Sequence, residues 1–194
     1  FRSLRSGALP APLEVLEERT VGAGLGSDSI REGITASIIG LIAVIVFMVL
    51  AYGLFGIFTT VTVLMNLFLM LGALSFMGAT LTLPGIAGII LTIGMAVDAN
   101  VLIFERMREE VKNGRSTKDA AEAGFTEAWG TIVDSNLTTL VAAFVLFYFG
   151  TGPVRGFAVT LAIGIATSMF TSVTVTRLII ASWLNKYKPT KLPI

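Results

Sequence analysis

The sequence predicts an all-α integral membrane protein with five transmembrane helices, on three observations. First, 54% of the 194 residues are hydrophobic and only 14% are charged. With a mean hydropathy of +0.84, the chain holds more apolar surface than a soluble domain of this length can use. Second, the apolar residues gather into five runs long enough to cross a bilayer as helices. Third, the polar residues inside those runs are mostly small residues, hydroxyls and amides at helical spacing, which let helices approach closely and hydrogen-bond across the contact.

Residues 1–32 differ from the rest. They mix charges with Pro10, Pro12 and a run of Gly22, Gly24 and Gly26, and Leu13 to Val21 reads as a short strand. The segment is expected to be the end of a domain outside the membrane, leading into the bundle. The first span is predicted over 33–52, after a cap at Ser29 with Glu32 three residues on, and the second over 54–76. The third, predicted over 83–104, is apolar from Ile86 to Phe104 apart from Thr92, Asp98 and Asn100. A polar interval comes next. Ser116 and Asp119 form a capping box, and Ala121, Phe125, Ala128 and Trp129 share a face, so a helix lying along the membrane surface is expected over 116–130. The fourth and fifth spans are predicted over 131–149 and 154–184, and a basic tail over 185–194.

Lys and Arg set the orientation. Arg106, Arg108, Lys112, Arg115 and Lys118 lie between the third and fourth spans, and Lys186, Lys188 and Lys191 lie in the tail. The positive-inside rule makes that side cytoplasmic. With an odd number of spans residue 1 is then outside the cytoplasm and residue 194 inside it, and because no signal sequence precedes that outer segment a sixth span is expected upstream.

Composition also excludes whole classes of activity. A net charge of +1 with no dense basic stripe gives no support to nucleic-acid binding. There is no cysteine and no histidine, so the common metal and nucleophile constellations are missing and neither a metal nor a cofactor is expected. The nearest Gly/Ser/Lys cluster, Asn113 to Lys118, lacks the glycine spacing and the preceding strand of a phosphate-binding loop. The chain is not read as an enzyme.

Asp98 is the residue that calls for a function. It lies ~10 Å short of Glu105 along the helix, within the hydrocarbon layer, where a carboxylate costs roughly 2.5–3.5 kcal/mol on insertion scales. An ionisable group at that depth points first to a proton or ion path; the plainer reading is a carboxylate satisfied by a neighbouring helix. Pro84, Ala87, Leu91, Gly94, Leu102 and Glu105 share its side of the helix, and Gly94 leaves room beside it for another helix or for water. Asn100, Asn136, Thr138 and Thr139 are the polar residues expected to support it or to pack closely around it. Arg155 and Arg177 are separated by ~33 Å along the fifth span, each ~15 Å or more from Asp98 in depth, so a counter-charge is expected from another chain. In the fifth span Gly156, Thr160, Gly164 and Ser168 step by four and are read as a packing stripe, and Asn66 in the second as interhelical glue.

The stretch PGIAGIILTIGMAVDANVLIFERMREE from Pro84 to Glu110 resembles the signature of the SecD/SecF family of protein-export subunits, within the resistance-nodulation-division superfamily. LRSGALPAPLEVLEERTVG from Leu4, SNLTTL from Ser135 and GPVRGFAVTLAIGI from Gly152 extend the resemblance over nearly the whole chain. One departure, Gly22-Ala23-Gly24-Leu25-Gly26 where the family often has a Gly-Pro-Ser-Leu-Gly-like run, touches only the lead into the first span. The resemblance implies a six-helix half-transporter bundle, of which five helices are present, with a short remnant of an extracytoplasmic α+β domain. It implies a subunit of the bacterial inner membrane that uses the proton motive force to promote late translocation of polypeptides, with Asp98 as the intramembrane proton carrier. The partners it implies are SecF, the SecYEG channel with YajC and YidC, and the translocating polypeptide. Two other readings compete: a proton-coupled transporter of small molecules or lipids from the same superfamily, and a purely structural subunit that steadies the export channel.

Overall fold

The computed structural model describes residues 23–79, 82–189 and 192–193, with side chains from residue 28 onward. Every regular element among them is helical: α1 (Ala23–Tyr52), α2 (Leu54–Phe76), α3 (Leu83–Lys112), α4 (Thr117–Phe149), α5 (Pro153–Met169), a π-helical segment (Phe170–Val175) and α6 (Thr176–Tyr187). Among the described residues five helical stretches are long and apolar enough to cross a membrane, the last running unbroken from Pro153 to Tyr187. The all-α membrane bundle expected from composition is the fold observed. The strand expected over Leu13 to Val21 and most of the amino-terminal remnant lie outside the described residues.

Four element boundaries depart from expectation, for physical reasons. The first helix begins at Ala23, ten residues before the predicted start, so Ser29 is not its cap. No proline comes after Pro12 in that segment, and a helix once nucleated propagates back until something stops it. The third helix runs on to Lys112. The surface helix expected over 116–130 does not exist as a separate element: α4 passes through Gly130 and Thr131 without a break, capped at Ser116, whose Oγ accepts from Asp119 N at 3.3 Å. Composition changes at residue 131, but a change from polar to apolar side chains breaks no backbone hydrogen bond. The fifth span carries the π segment near its middle and reaches Tyr187, into the predicted tail.

The antiparallel helices define two ends. At the tail end sit the α1–α2 turn, the extension of α3, the start of α4 and the end of α6. Gly53 alone joins α1 to α2, with φ 54°, a left-handed conformation that glycine adopts without steric penalty. A Cβ on Gly56 would overlap the Met48 backbone, so α1 and α2 touch main chain to main chain. That turn is latched to α3. Tyr52 Oη donates to Glu105 Oε1 at 2.9 Å, Arg108 Nη1 reaches the same oxygen at 2.7 Å, and Arg108 Nη2 donates to Ala51 O at 2.9 Å. Phe55, Phe104 and Trp183 pack below it, with the Phe55 ring centroid 5.4 Å from that of Phe104 and 5.8 Å from that of Trp183. The end of the chain folds back here as well, with Leu192 buried and Thr117 Oγ1 donating to Pro189 O at 3.1 Å.

The core is the contact of α3 with α5. Glycines and threonines alternate across it: Thr160 lies 3.3 Å from where a Cβ on Gly88 would be, Thr82 lies 2.8 Å from one on Gly156, and a Cβ on Gly164 would overlap Thr92. Without hydrophobic drive between helices in lipid, such close approach maximises dispersion contact. A second close approach, Gly124 against Met107 and the Ile103 carbonyl, seats the start of α4 on the α3 extension.

Candidate functional site

Asp98 faces outward. Ala87, Leu91, Gly94 and Asp98 are all exposed, so the side of α3 that carries the carboxylate is left uncovered by the described residues over three turns. A Cβ on Gly94 would meet nothing within 4 Å. The carboxylate lines a cavity of about 200 Å³ between α3 and α4, together with Met95, Leu102, Ile132, Asn136 and Thr139. Ser135 also lines it, a residue absent from the set expected around the carboxylate although it stands at helical spacing from Ile132 and Thr139. Asn136 is buried and donates from Nδ2 to Ile132 O at 2.8 Å. This leaves its Oδ1 as a candidate partner for a protonated carboxyl.

No side chain among the described residues forms a salt bridge or hydrogen bond with Asp98. Arg155 donates from Nε to Gly150 O at 2.7 Å, capping the far end of α4. Arg177 stands over the Phe125 ring, 6.0 Å from its centroid. Neither arginine is a counter-charge. Two of the residues expected around Asp98 are elsewhere. Thr138 turns away from the cavity, exposed, and donates to Asp134 O at 2.8 Å. Asn100 points into the bundle on the opposite side of α3, because two residues turn a helix by about 200°.

There Asn100 belongs to a different polar cluster. Its Nδ2 donates to Ala96 O at 3.0 Å, and its Oδ1 accepts from the Thr176 hydroxyl at 2.9 Å. Ser172 donates to the same Ala96 carbonyl at 3.1 Å, and Thr62 Oγ1 lies 3.4 Å from Thr176 Oγ1. All four side chains are at most 1% exposed. The π segment supplies Ser172 and abuts Thr176, so this cluster ties α2, α3 and the fifth span together at the depth of Asp98. One turn along α2, Asn66 is equally buried, but its Oδ1 has no partner among the described residues. Among the described residues no cluster of His, Cys, Asp and Glu could hold a metal.

A bundle of apolar helices with two exposed carboxylates at membrane depth, Asp98 on α3 and Asp134 on α4, neither of them ion-paired among the described residues, defines an integral membrane protein. Comparison with known proteins gives that class its family. Residues 7–186 match the family described as Protein export membrane protein SecD/SecF, C-terminal. The chain is 56% identical over 185 residues to the protein translocase subunit SecD of Koribacter versatilis, covering 95% of this chain and 35% of that protein. It is 56% identical over 191 residues to the SecD of Calditerrivibrio nitroreducens, covering 98% and 37%. Among solved structures it resembles SecDF, a translocon-associated membrane protein from Thermus thermophilus, with a TM-score of 0.88 and 44% identity over 96% of this chain and 26% of that one. A second structure of SecDF, in a super-membrane-facing form, matches with a TM-score of 0.81 and 45% identity over 95% of this chain and 25% of that one. The chain belongs to the SecD/SecF family of protein export membrane proteins, and it spans about a third of the length of these SecD relatives.

Proposed function

We propose that this chain is the membrane part of a protein translocase subunit that uses the proton motive force to promote late translocation of polypeptides, with Asp98 carrying the proton. The single observation behind this reading is a carboxylate at membrane depth, unpaired among the described residues, beside a polar cavity and on a face that those residues leave open. A second membrane bundle covering the face would desolvate the carboxylate, and burial disfavours the charged form. Asp98 then holds its proton while shut from water and releases it where water or a cation reaches it. One proton crossing 100 mV supplies about 2.3 kcal/mol, enough to bias a two-state arrangement roughly fiftyfold at ~1.4 kcal/mol per decade. The covering bundle on this reading is SecF, which also supplies the counter-charge; SecYEG, with YajC and YidC, is the wider assembly. The basic tail end faces the cytoplasm and residue 1 the periplasm, by the same distribution of Lys and Arg that orients membrane proteins in general.

The test is gradient-dependent export in inner-membrane vesicles carrying Asp98→Asn in the full-length protein. The expected result is loss of the gradient-driven component at normal protein levels. Export at the native rate would end the proton-carrier reading.

A further inference from the structure

A cleft of about 160 Å³ opens between the first turns of α4 and helix α6, with Lys118, Glu122 and Phe125 on one wall and Arg177, Ile180 and Leu184 on the other. Its depth is set by the packing of α4. Gly124 sits against Met107 and Ile103 of α3, so the neighbouring Phe125 is level with Glu105, where the third span leaves its apolar run. The cleft therefore lies at the membrane boundary, reaching outward from there to Lys118.

Lys118 and Arg177 have no ion-pair partner among the described residues. Among the described residues the ion pairs are Arg106–Glu109, Arg108–Glu105 and Arg115–Glu110, and neither Lys118 nor Arg177 takes part. Arg177 lines the cleft with its guanidinium carbon over Phe125, 6.0 Å from the ring centroid, at the outer reach of a cation–π contact. Lys118 stands in the first turn of α4, where the helix dipole adds positive potential. Glu122 is the one carboxylate in the lining, against two cations, and the floor between them is apolar. Down the same side of α4, Lys118, Glu122, Phe125 and Trp129 grade from charged to aromatic, and Trp129 is 46% exposed. Indole rings of that kind favour the headgroup level.

We propose that this cleft binds the phosphate of an anionic phospholipid in the leaflet at the tail end of the bundle. The guanidinium presents paired N–H donors to two phosphate oxygens, and the ammonium adds a point charge from the other wall. The acyl chains leave downward past Phe125 and Trp129. A choline headgroup would bring its own cation toward Arg177 and Lys118, so the site selects phosphatidylglycerol over phosphatidylcholine. A free anion would use the same two cations but gain nothing from the apolar continuation below them.

The experiment uses the full-length protein, delipidated in detergent and titrated in parallel with dioctanoyl phosphatidylglycerol, dioctanoyl phosphatidylcholine and inorganic phosphate, with bound adducts counted by native mass spectrometry. Phosphatidylglycerol is expected to bind and phosphatidylcholine to bind at least tenfold more weakly. Lys118→Gln with Arg177→Gln should weaken phosphatidylglycerol about thirtyfold, the value expected for two interfacial cations. Arg106→Gln with Lys112→Gln removes the same charge outside the cleft and should change binding less than twofold. Ala181→Trp, which fills the cleft and keeps both cations, should also abolish selective binding, and it covers the case in which the double variant fails to fold. The proposal is overturned if the cleft variants bind like the native protein, if the outside pair loses as much, or if inorganic phosphate displaces the lipid at equal concentration.

Discussion

The two sides of α3 at the depth of Asp98 are built in opposite ways. On the inward side Asn100 is spent: its amide and carbonyl both have partners at 3.0 Å or closer, within a cluster sealed from lipid by α2 and the fifth span. On the outward side Asp98 is a stronger polar group with no partner among the described residues and an open face around it. The contrast separates a group used for packing from one that packing does not use. A saturated buried cluster holds helices in register; an unsaturated carboxylate in the same layer is stable only when something outside the chain, or a proton, completes it.

Substitutions on the two sides should therefore fail differently. Asp98→Asn is expected to remove gradient-driven export by tenfold or more while moving the thermal unfolding midpoint in detergent little, because it breaks no contact made by the described residues; a large loss of stability would erase the contrast. Gly164→Leu, at the core contact where a Cβ already overlaps Thr92, should cost about 1–3 kcal/mol by overpacking, read as a lower unfolding midpoint and lower membrane levels. Asn100→Leu should cost about 0.6–1.7 kcal/mol, the span from the average to the largest value for an interhelical hydrogen bond in a membrane. In this variant export should fall only as far as protein level falls, and a specific export defect would show that the inward cluster also takes part in proton transfer. Asn66→Leu is the mildest. Its oxygen has no partner to lose, so a change within about 0.5 kcal/mol is expected, measured by the same unfolding assay.

Much of this contrast could be read from the residues. Asp98 stands at helical spacing from Ala87, Leu91 and Gly94, small or apolar side chains that leave a carboxylate accessible, and that stripe is the open one. The Gly156 to Ser168 stripe is likewise legible, because glycine and hydroxyl residues every fourth position have one use inside a membrane. Asn100 and Thr138 are legible as polar groups but not in their direction: Asn100 lies two residues from Asp98 and so on the far side of α3, while Thr138 lies about 100° round α4 from Thr139, just outside the cavity lining. The joining of the surface helix to the fourth span is not legible, since hydropathy changes at Thr131 while helix propensity does not. Nor is the π segment, where FTSVTV carries no proline or glycine to mark it.

That segment has a consequence for the shape of the fifth span. A π turn winds one more residue into the rod than an α turn does, so the residues beyond Val175 are rotated about the axis relative to those before Phe170. Before it, α5 packs on α3 and α4; after it, α6 leans principally on α2. One continuous rod thereby serves two sets of neighbours, and its swing away from α4 leaves a notch at the bilayer rim. Straightening it by deleting a single residue between Phe170 and Val175 would rotate Arg177 off Phe125 and separate Thr176 from Asn100 at a stroke.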